Sequence, residues 1–226
     1  GPGKRIAEAR VSYTVAHDGA VTWGLAWCPE ALLEALRRAG KVAEDHPGLL
    51  AACLGNGDVC IYACPGHAAV HSRHADPAAD SGGVPALDMK PVAKSEALRR
   101  RKAVPSCVAW CRRDPFDLLV VGCWDGSVGV LKCQVGKGGE AEGNENSPES
   151  SSPAAHLSLL SFYLADLQPI TCITWLETFA LDGSVRGESF ATAGHSGTFK
   201  VWNARQPQAL LLQRNIYSHK YITGLV

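Results

Sequence analysis

The chain has 226 residues, 46% of them apolar, and balances 22 lysines and arginines against 22 aspartates and glutamates. A formal net charge of zero excludes a global field that would recruit nucleic acid or an anionic membrane, so any such partner must meet a local patch. No apolar run reaches the length of a bilayer span and the first ten residues hold no signal-type apolar core, so the expectation is a soluble chain that is not exported.

Val11 to Ala16 (VSYTVA) alternates with the two-residue period of a strand, and His17-Asp18-Gly19 reads as a turn into a second strand, Val21 to Trp27 (VTWGLAW). Within the connection that follows, Ala31 to Ala39 places Leu32, Leu33 and Leu36 at helical spacing, with Arg37 and Arg38 in the last turn and Gly40 at the stop. Leu49 to Tyr62 (LLAACLGNGDVCIY) is a hairpin, and Ala86 to Val92 reads as a weak fourth strand. Val104 to Trp110, the hairpin Leu118 to Leu131 and the strong apolar stretch Leu157 to Leu167 then repeat the pattern. Ile170 to Trp175, the hairpin Ser189 to Asn203 and Gln208 to Tyr217 repeat it again, and Tyr221 to Val226 begins a further copy.

The hairpins align: Gly57, Gly126 and Gly197 fall at one position of the turn, and Leu25, Val108 and Ile173 match on the strands before them, as do Trp27, Trp110 and Trp175. The unit is four strands, here lettered a to d, written three times, with a leftover d at the start and a leftover a at the end. A sheet this small buries its faces only against neighbours of its own kind, which is the logic of a β-propeller. The expected fold is all-β, an incomplete arc of about three four-stranded antiparallel blades. The arc spans 11–226, with blades at 21–92, 104–167 and 170–217 and the start of another at 221–226. Three blades fall short of the roughly four to eight that close a ring, and bare edge strands are an aggregation hazard, so the missing blades are expected outside this chain. The one methionine is Met89 and Gly1 begins abruptly ahead of repeat material, so the chain is read as a fragment.

The tryptophans that end strand a, His195 in the last hairpin and Trp202 closing strand c resemble the WD-repeat family, and the likeness covers the chain outside its loops. It implies a WD40-type propeller. That family ties each blade with a His before strand a, a Ser or Thr on strand b, an Asp in the b–c turn and a Trp ending strand c. The chain offers His17 and His219, Thr192, Asp125 and Trp202 for these places, never all four in one blade, and Ser196 stands where one turn Asp would be. Trp27, Trp110, Asp125, Trp175, His195 and Trp202 are therefore expected to build blades; Trp23 and Trp124 lie outside the shared pattern.

Long insertions at Pro29 to Gly48, Pro65 to Pro85, Gln134 to His156 and Glu177 to Glu188 are all a–b or c–d connections, which places them at one face of the arc, a common binding side. The third, 134–156, is Gly, Glu, Asn and Ser with almost nothing apolar and is expected to be disordered, with Ser147-Pro148 and Ser152-Pro153 as candidate phosphorylation sites. Nine cysteines, mostly inside apolar runs, read as reduced buried thiols. Cys60, Cys64, His67, His71 and His74 invite a zinc reading, but Cys60 lies in a strand and the spacing leaves little room for a knuckle, so no metal is expected. Lys90, Lys94, Arg99, Arg100, Arg101 and Lys102 form a basic run without aromatics, suited to phosphate or an acidic partner but not to base stacking. A merely solvated loop is the commoner explanation of such a run. No nucleophile elbow, zinc-protease or phosphate-loop motif occurs, so neither catalysis, a cofactor nor a small-molecule substrate is expected.

VAHDGAVTWGLAWCPE, the hairpin GLLAACLGNGDVCIYACP and the worn later repeats are similar to the WD-repeat subunits of TFIIIC, the general transcription factor of RNA polymerase III. That likeness implies a nuclear, non-enzymatic scaffold that binds other protein subunits and supports promoter recognition, with DNA contact shared or indirect and no membrane. Another intracellular adaptor, a ubiquitin-ligase substrate receptor or a chromatin-complex scaffold, is the alternative.

Overall fold

A computed structural model describes residues 11–38, 47–66, 69–70, 84–112, 117–135, 155–176, 189–204, 206 and 210–216. In chain order the elements are β1 (Thr14–Ala16), β2 (Thr22–Trp27), α1 (Glu30–Arg38), β3 (Gly48–Leu54), β4 (Val59–Cys64), β5 (Ala86–Asp88) and β6 (Ala93–Ser95). A 3-10 turn at Arg99–Arg101 precedes β7 (Pro105–Trp110), β8 (Leu118–Cys123), β9 (Ser127–Val135), β10 (Ala155–Leu164), β11 (Ile170–Leu176), β12 (Ser189–Gly194), β13 (Thr198–Asn203) and β14 (Leu210–Asn215).

Three four-stranded antiparallel sheets follow one another, ordered β2-β3-β4-β6, β7-β8-β9-β10 and β11-β12-β13-β14, each strand paired with the next in the chain except that β4 passes over β5 to pair with β6. These are propeller-type blades in an open arc. The repeated glycines explain why the hairpins recur: Gly57, Gly126 and Gly197 have φ of 91°, 83° and 66°, a region that side chains disfavour. Their N–H groups donate to Leu54, Cys123 and Gly194 carbonyls at 2.9–3.1 Å. The residue before each glycine caps the turn two residues on: Asn56 Oδ1 accepts from Asp58 N–H at 3.0 Å, Asp125 Oδ1 from Ser127 N–H at 3.0 Å, and Ser196 Oγ from Thr198 N–H at 3.2 Å. Ser196 thus does the work of the turn Asp. One regularity escaped the sequence reading: each a–b pair shifts register at the same place, between Thr22 and Gly24, Pro105 and Cys107, and Ile170 and Cys172.

The core lies between blades. From the first blade Leu49, Ala51, Cys53, Val59 and Ile61 pack against Trp110, Leu119, Val121, Cys123 and Leu131 of the second. From the second, Leu118, Val120, Val128 and Val130 pack against Phe190, Trp202 and Trp175 of the third. Each blade therefore has a leading face, toward its predecessor, and a trailing face. Burying side chains of this size contributes about 1.5–3 kcal/mol each, which makes the interblade layers the main source of stability. Helix α1 buries Leu33 and Leu36, the latter in the first interblade layer. Gly24 and Gly122 let inner strands touch: a Cβ on Gly24 would lie 2.9 Å from the Cys107 Cα, and one on Gly122 2.6 Å from Ile170 Cγ2.

The outer strand of the first blade differs from the expected Ala86 to Val92. Pro91 has no N–H to give a ladder, and the pairing strand is β6, where Ala93 and Ser95 bury small side chains and Lys94 alternates outward. The expected strand at Val11 to Ala16 shortens to β1 and pairs in parallel with β5. The ends of the third insertion are ordered, since Gln134 pairs His156 and Val135 pairs Ala155. Residues 136–154, the insertion at 177–188 and the further copy at 221–226 lie outside the described residues.

Candidate functional site

Strand a of each blade is the innermost, and the three together line a groove of about 610 Å³. Leu25, Trp27, Ile173 and Trp175 stand along it, Val108 and Trp110 lie buried behind its wall, and Glu30 and Arg112 are its charged residues. The three repeat tryptophans share a position but not an environment. Trp110 is 4% exposed in the first interblade layer. Trp175 packs on Phe190 with ring centroids 5.8 Å apart and donates its indole N–H to the Ala109 carbonyl of the preceding blade at 3.0 Å. Trp27 is 55% exposed, in a row with exposed Val21, Trp23 and Leu25.

The remaining sequence-singled positions hold blades together. Trp202 donates its indole N–H to Thr192 Oγ1 at 2.9 Å, tying strand c to strand b, while His17 pairs with Thr22 of strand a at 2.8 Å instead of a strand-b hydroxyl. Asp125 caps its turn and also accepts from the Ser127 hydroxyl. His195 sits in the b–c turn of the third blade, its N–H donating to the Pro169 carbonyl at 3.0 Å. Its ring lies 6.1 Å from that of Trp124, which in turn lies 5.1 Å from Trp23. Trp124 and His195 occupy one repeat position; the first blade has Gly55 there, and Trp23 Nε1 lies 3.4 Å from where its Cβ would be. The two tryptophans outside the repeat pattern thus complete a row of rings across three blades.

The basic run is only partly open to a ligand. Asp58, 1% exposed, accepts from Lys94 at 2.9 Å and Arg99 at 3.4 Å, and Glu96 binds Arg99 at 2.7 Å, Lys94 at 3.4 Å and Arg100 at 3.8 Å. The hydrogen bonds from Arg99 and Lys94 hold the Glu96 carboxyl below its ordinary range. Arg101 donates to the Ala97 carbonyl at 3.2 Å and stands 5.5 Å over the Phe162 ring of the second blade. Lys102 ends the 3-10 turn with φ of 60°, its N–H on the Arg99 carbonyl. Lys94 and Arg99 therefore clamp the first hairpin turn, and Arg100, Arg101 and Lys102 carry the exposed charge. Sequence reading missed the carboxylates behind this clamp, although Glu96 three and four residues ahead of Arg99 and Arg100 was the available signal.

A second clamp was equally unforeseen. Asp166, after the outer strand of the second blade, accepts from Ser196 Oγ at 2.8 Å and Lys200 Nζ at 3.0 Å of the third. Burial works against its ionisation, but the bonds from Lys200 and Ser196 outweigh it and lower the carboxyl below its usual range.

None of the nine cysteines is in a disulfide, and burial pushes Cys107, Cys123 and Cys133 up to about 12, so these three thiols are protonated at neutral pH. Cys60 and Cys64 are buried beside Tyr62 and Tyr13, and His67, His71 and His74 lie outside the described residues. Among the described residues no cluster has the makeup of a metal site.

No protein-family model and no curated sequence matches the chain. Among solved structures it is similar to the computationally designed Ika4 protein, with a TM-score of 0.48 and 12% identity over 97% of this chain and 87% of that one. It is also similar to the WD40 repeats of RRP9, with a TM-score of 0.44 and 9% identity over 88% of this chain and 39% of that one. The blade assignment rests on the strand order, turns and interblade layers described above.

Proposed function

We propose that the chain is a non-enzymatic WD-repeat scaffold in a nuclear multisubunit complex, most specifically TFIIIC, where it supports promoter recognition by RNA polymerase III through subunit assembly. The observation that carries the scaffold reading is the groove along the inner strands, where Leu25, Trp27, Ile173 and Trp175 stand beside Glu30, Arg112 and Thr174. A mixed surface of this kind suits a protein interface, in which aromatic residues and Arg are enriched. The insertions at one end of the sheets supply a second contact region in this reading. The assignment to TFIIIC is supported by the likeness of Val15 to Glu30 and of the first hairpin to its WD-repeat subunits. DNA contact is shared or indirect, with Arg100 and Lys102 available to phosphate.

Purification of the tagged protein from nuclear extract, followed by identification of the retained subunits, tests this reading. Retention of polymerase III factor subunits supports it, and their absence removes it. Retention of ubiquitin-ligase or chromatin-complex subunits instead would move the protein to the alternative class.

A further inference from the structure

Two tryptophans stand where the blades need no ring. Trp23 aligns with Ser106 and Thr171 of the later blades, and Ser106 is a small tie there, its hydroxyl donating to the Gly122 and Ile170 carbonyls. Trp124 aligns with Gly55 and His195. The two rings meet edge to face, centroids 5.1 Å apart and planes at 71°, and the contact leaves Trp23 46% exposed.

This pair lies beside the basic run, which holds no ring of its own between Lys90 and Ala103. The main-chain N–H of Trp124 donates to the Val104 carbonyl at 2.9 Å, two residues past Lys102. On the other side only the first hairpin turn intervenes. Trp23 Nε1 lies 3.4 Å from where a Cβ on Gly55 would be, and the Arg99 Cα lies 2.9 Å from where one on Gly57 would be. Lys102 is exposed, and Arg100 is exposed too, reaching Glu96 only at 3.8 Å. Asp125, the exposed carboxylate next to Trp124, is turned into its own turn, where its Oδ1 accepts from the Ser127 N–H and hydroxyl. The fold therefore brings an open ring to open cations from separate strands.

We propose that this patch binds single-stranded nucleic acid, with a base stacked on Trp23 and neighbouring phosphates on Lys102 and Arg100. Every base has a π face, so such stacking tolerates any sequence, and only unpaired bases are free to reach the ring. A local patch is what a chain of zero net charge requires for this contact. The base contact adds to the phosphate contact proposed above and does not depend on the complex in which the chain serves.

Fluorescence anisotropy with the full chain tests it, using a labelled oligothymidylate of about 15 nucleotides and an abasic strand of the same length. The wild type should bind the oligothymidylate at least about tenfold more tightly than the abasic strand, Trp23→Ala should remove that difference, and Trp23→Phe should keep part of it. Lys102→Ala should weaken binding of both strands and reduce the slope of log affinity against log salt by about 0.7. Equal affinity of the wild type for the two strands overturns the proposal while leaving the phosphate contact standing. A folded Trp23→Ala that keeps the preference also overturns it. Should Trp23→Ala fail to fold, the wild-type comparison of the two strands decides. Failure of the wild type to bind either strand overturns both contacts, and a loss of subunit binding in Trp23→Ala would then give the patch to a protein.

Discussion

The indole N–H of Trp175 donates to the main-chain carbonyl of Ala109 at 3.0 Å, so the inner strand of one blade is pinned to the backbone of the blade before it. Trp175→Phe keeps most of the ring's burial and removes that bond, and should cost about 1 kcal/mol in urea denaturation. Trp110→Ala, which empties a buried site, should cost about 3–5 kcal/mol. Equal effects of the two would contradict the interblade packing described here.

Gly126 combines a φ of 83° with a backbone neighbour, since an added Cβ would meet the Asp166 carbonyl. The turn carbonyl of Gly126 also accepts from the N–H groups of Ala165 and Asp166 at 3.0 and 2.9 Å. Gly126→Ala should therefore destabilise by about 1–3 kcal/mol, more than an alanine at an exposed loop glycine. Chemical denaturation of the variant checks this, and a stabilised variant would refute the turn geometry.

The Asp166 clamp makes stability acid-sensitive with a defined sign. Its carboxyl is held below the unfolded value, so its contribution is fully present above that value and is lost as pH falls through the folded one. Melting temperature should fall below about pH 4 in the wild type. In Lys200→Met the acid-side fall should shrink and the neutral-pH stability drop. An unchanged acid limb would show that the clamp carries no linkage.

Basic residues divide into two groups with different readouts. Lys94→Ala strips a partner from nearly buried Asp58 and should lower stability, whereas Arg100→Ala and Lys102→Ala should leave it within about 0.5 kcal/mol. If Arg100 touches phosphate in the assembled complex, its loss should reduce the slope of log affinity against log salt by about one. An unchanged slope excludes the contact.

Much of the fold was legible because backbone demands wrote it into the residues. A turn that needs φ near +80° selects glycine, and three such turns placed Gly57, Gly126 and Gly197 in register. Buried strands on both faces of a blade read as apolar runs, which located β8 and β12. The β6 strand was illegible because three residues, Ala93, Lys94 and Ser95, pair through main chain and bury only small side chains. The clamps at Asp58 and Asp166 were missed since their partners are 36 and 34 residues away, as Lys94 and Lys200, and charge spacing reveals only near neighbours. The aromatic row was half visible: Trp23 and Trp124 stood out from the repeat, but their contact depends on which blades adjoin.

The proposed role in subunit assembly is tested most directly by sedimentation of the purified chain with recombinant TFIIIC subunits, beside an Ile173→Lys variant that charges the groove wall. The account predicts that the wild type co-sediments with at least one subunit and that the folded variant does so more weakly. A wild-type chain that sediments alone in every mixture would contradict it.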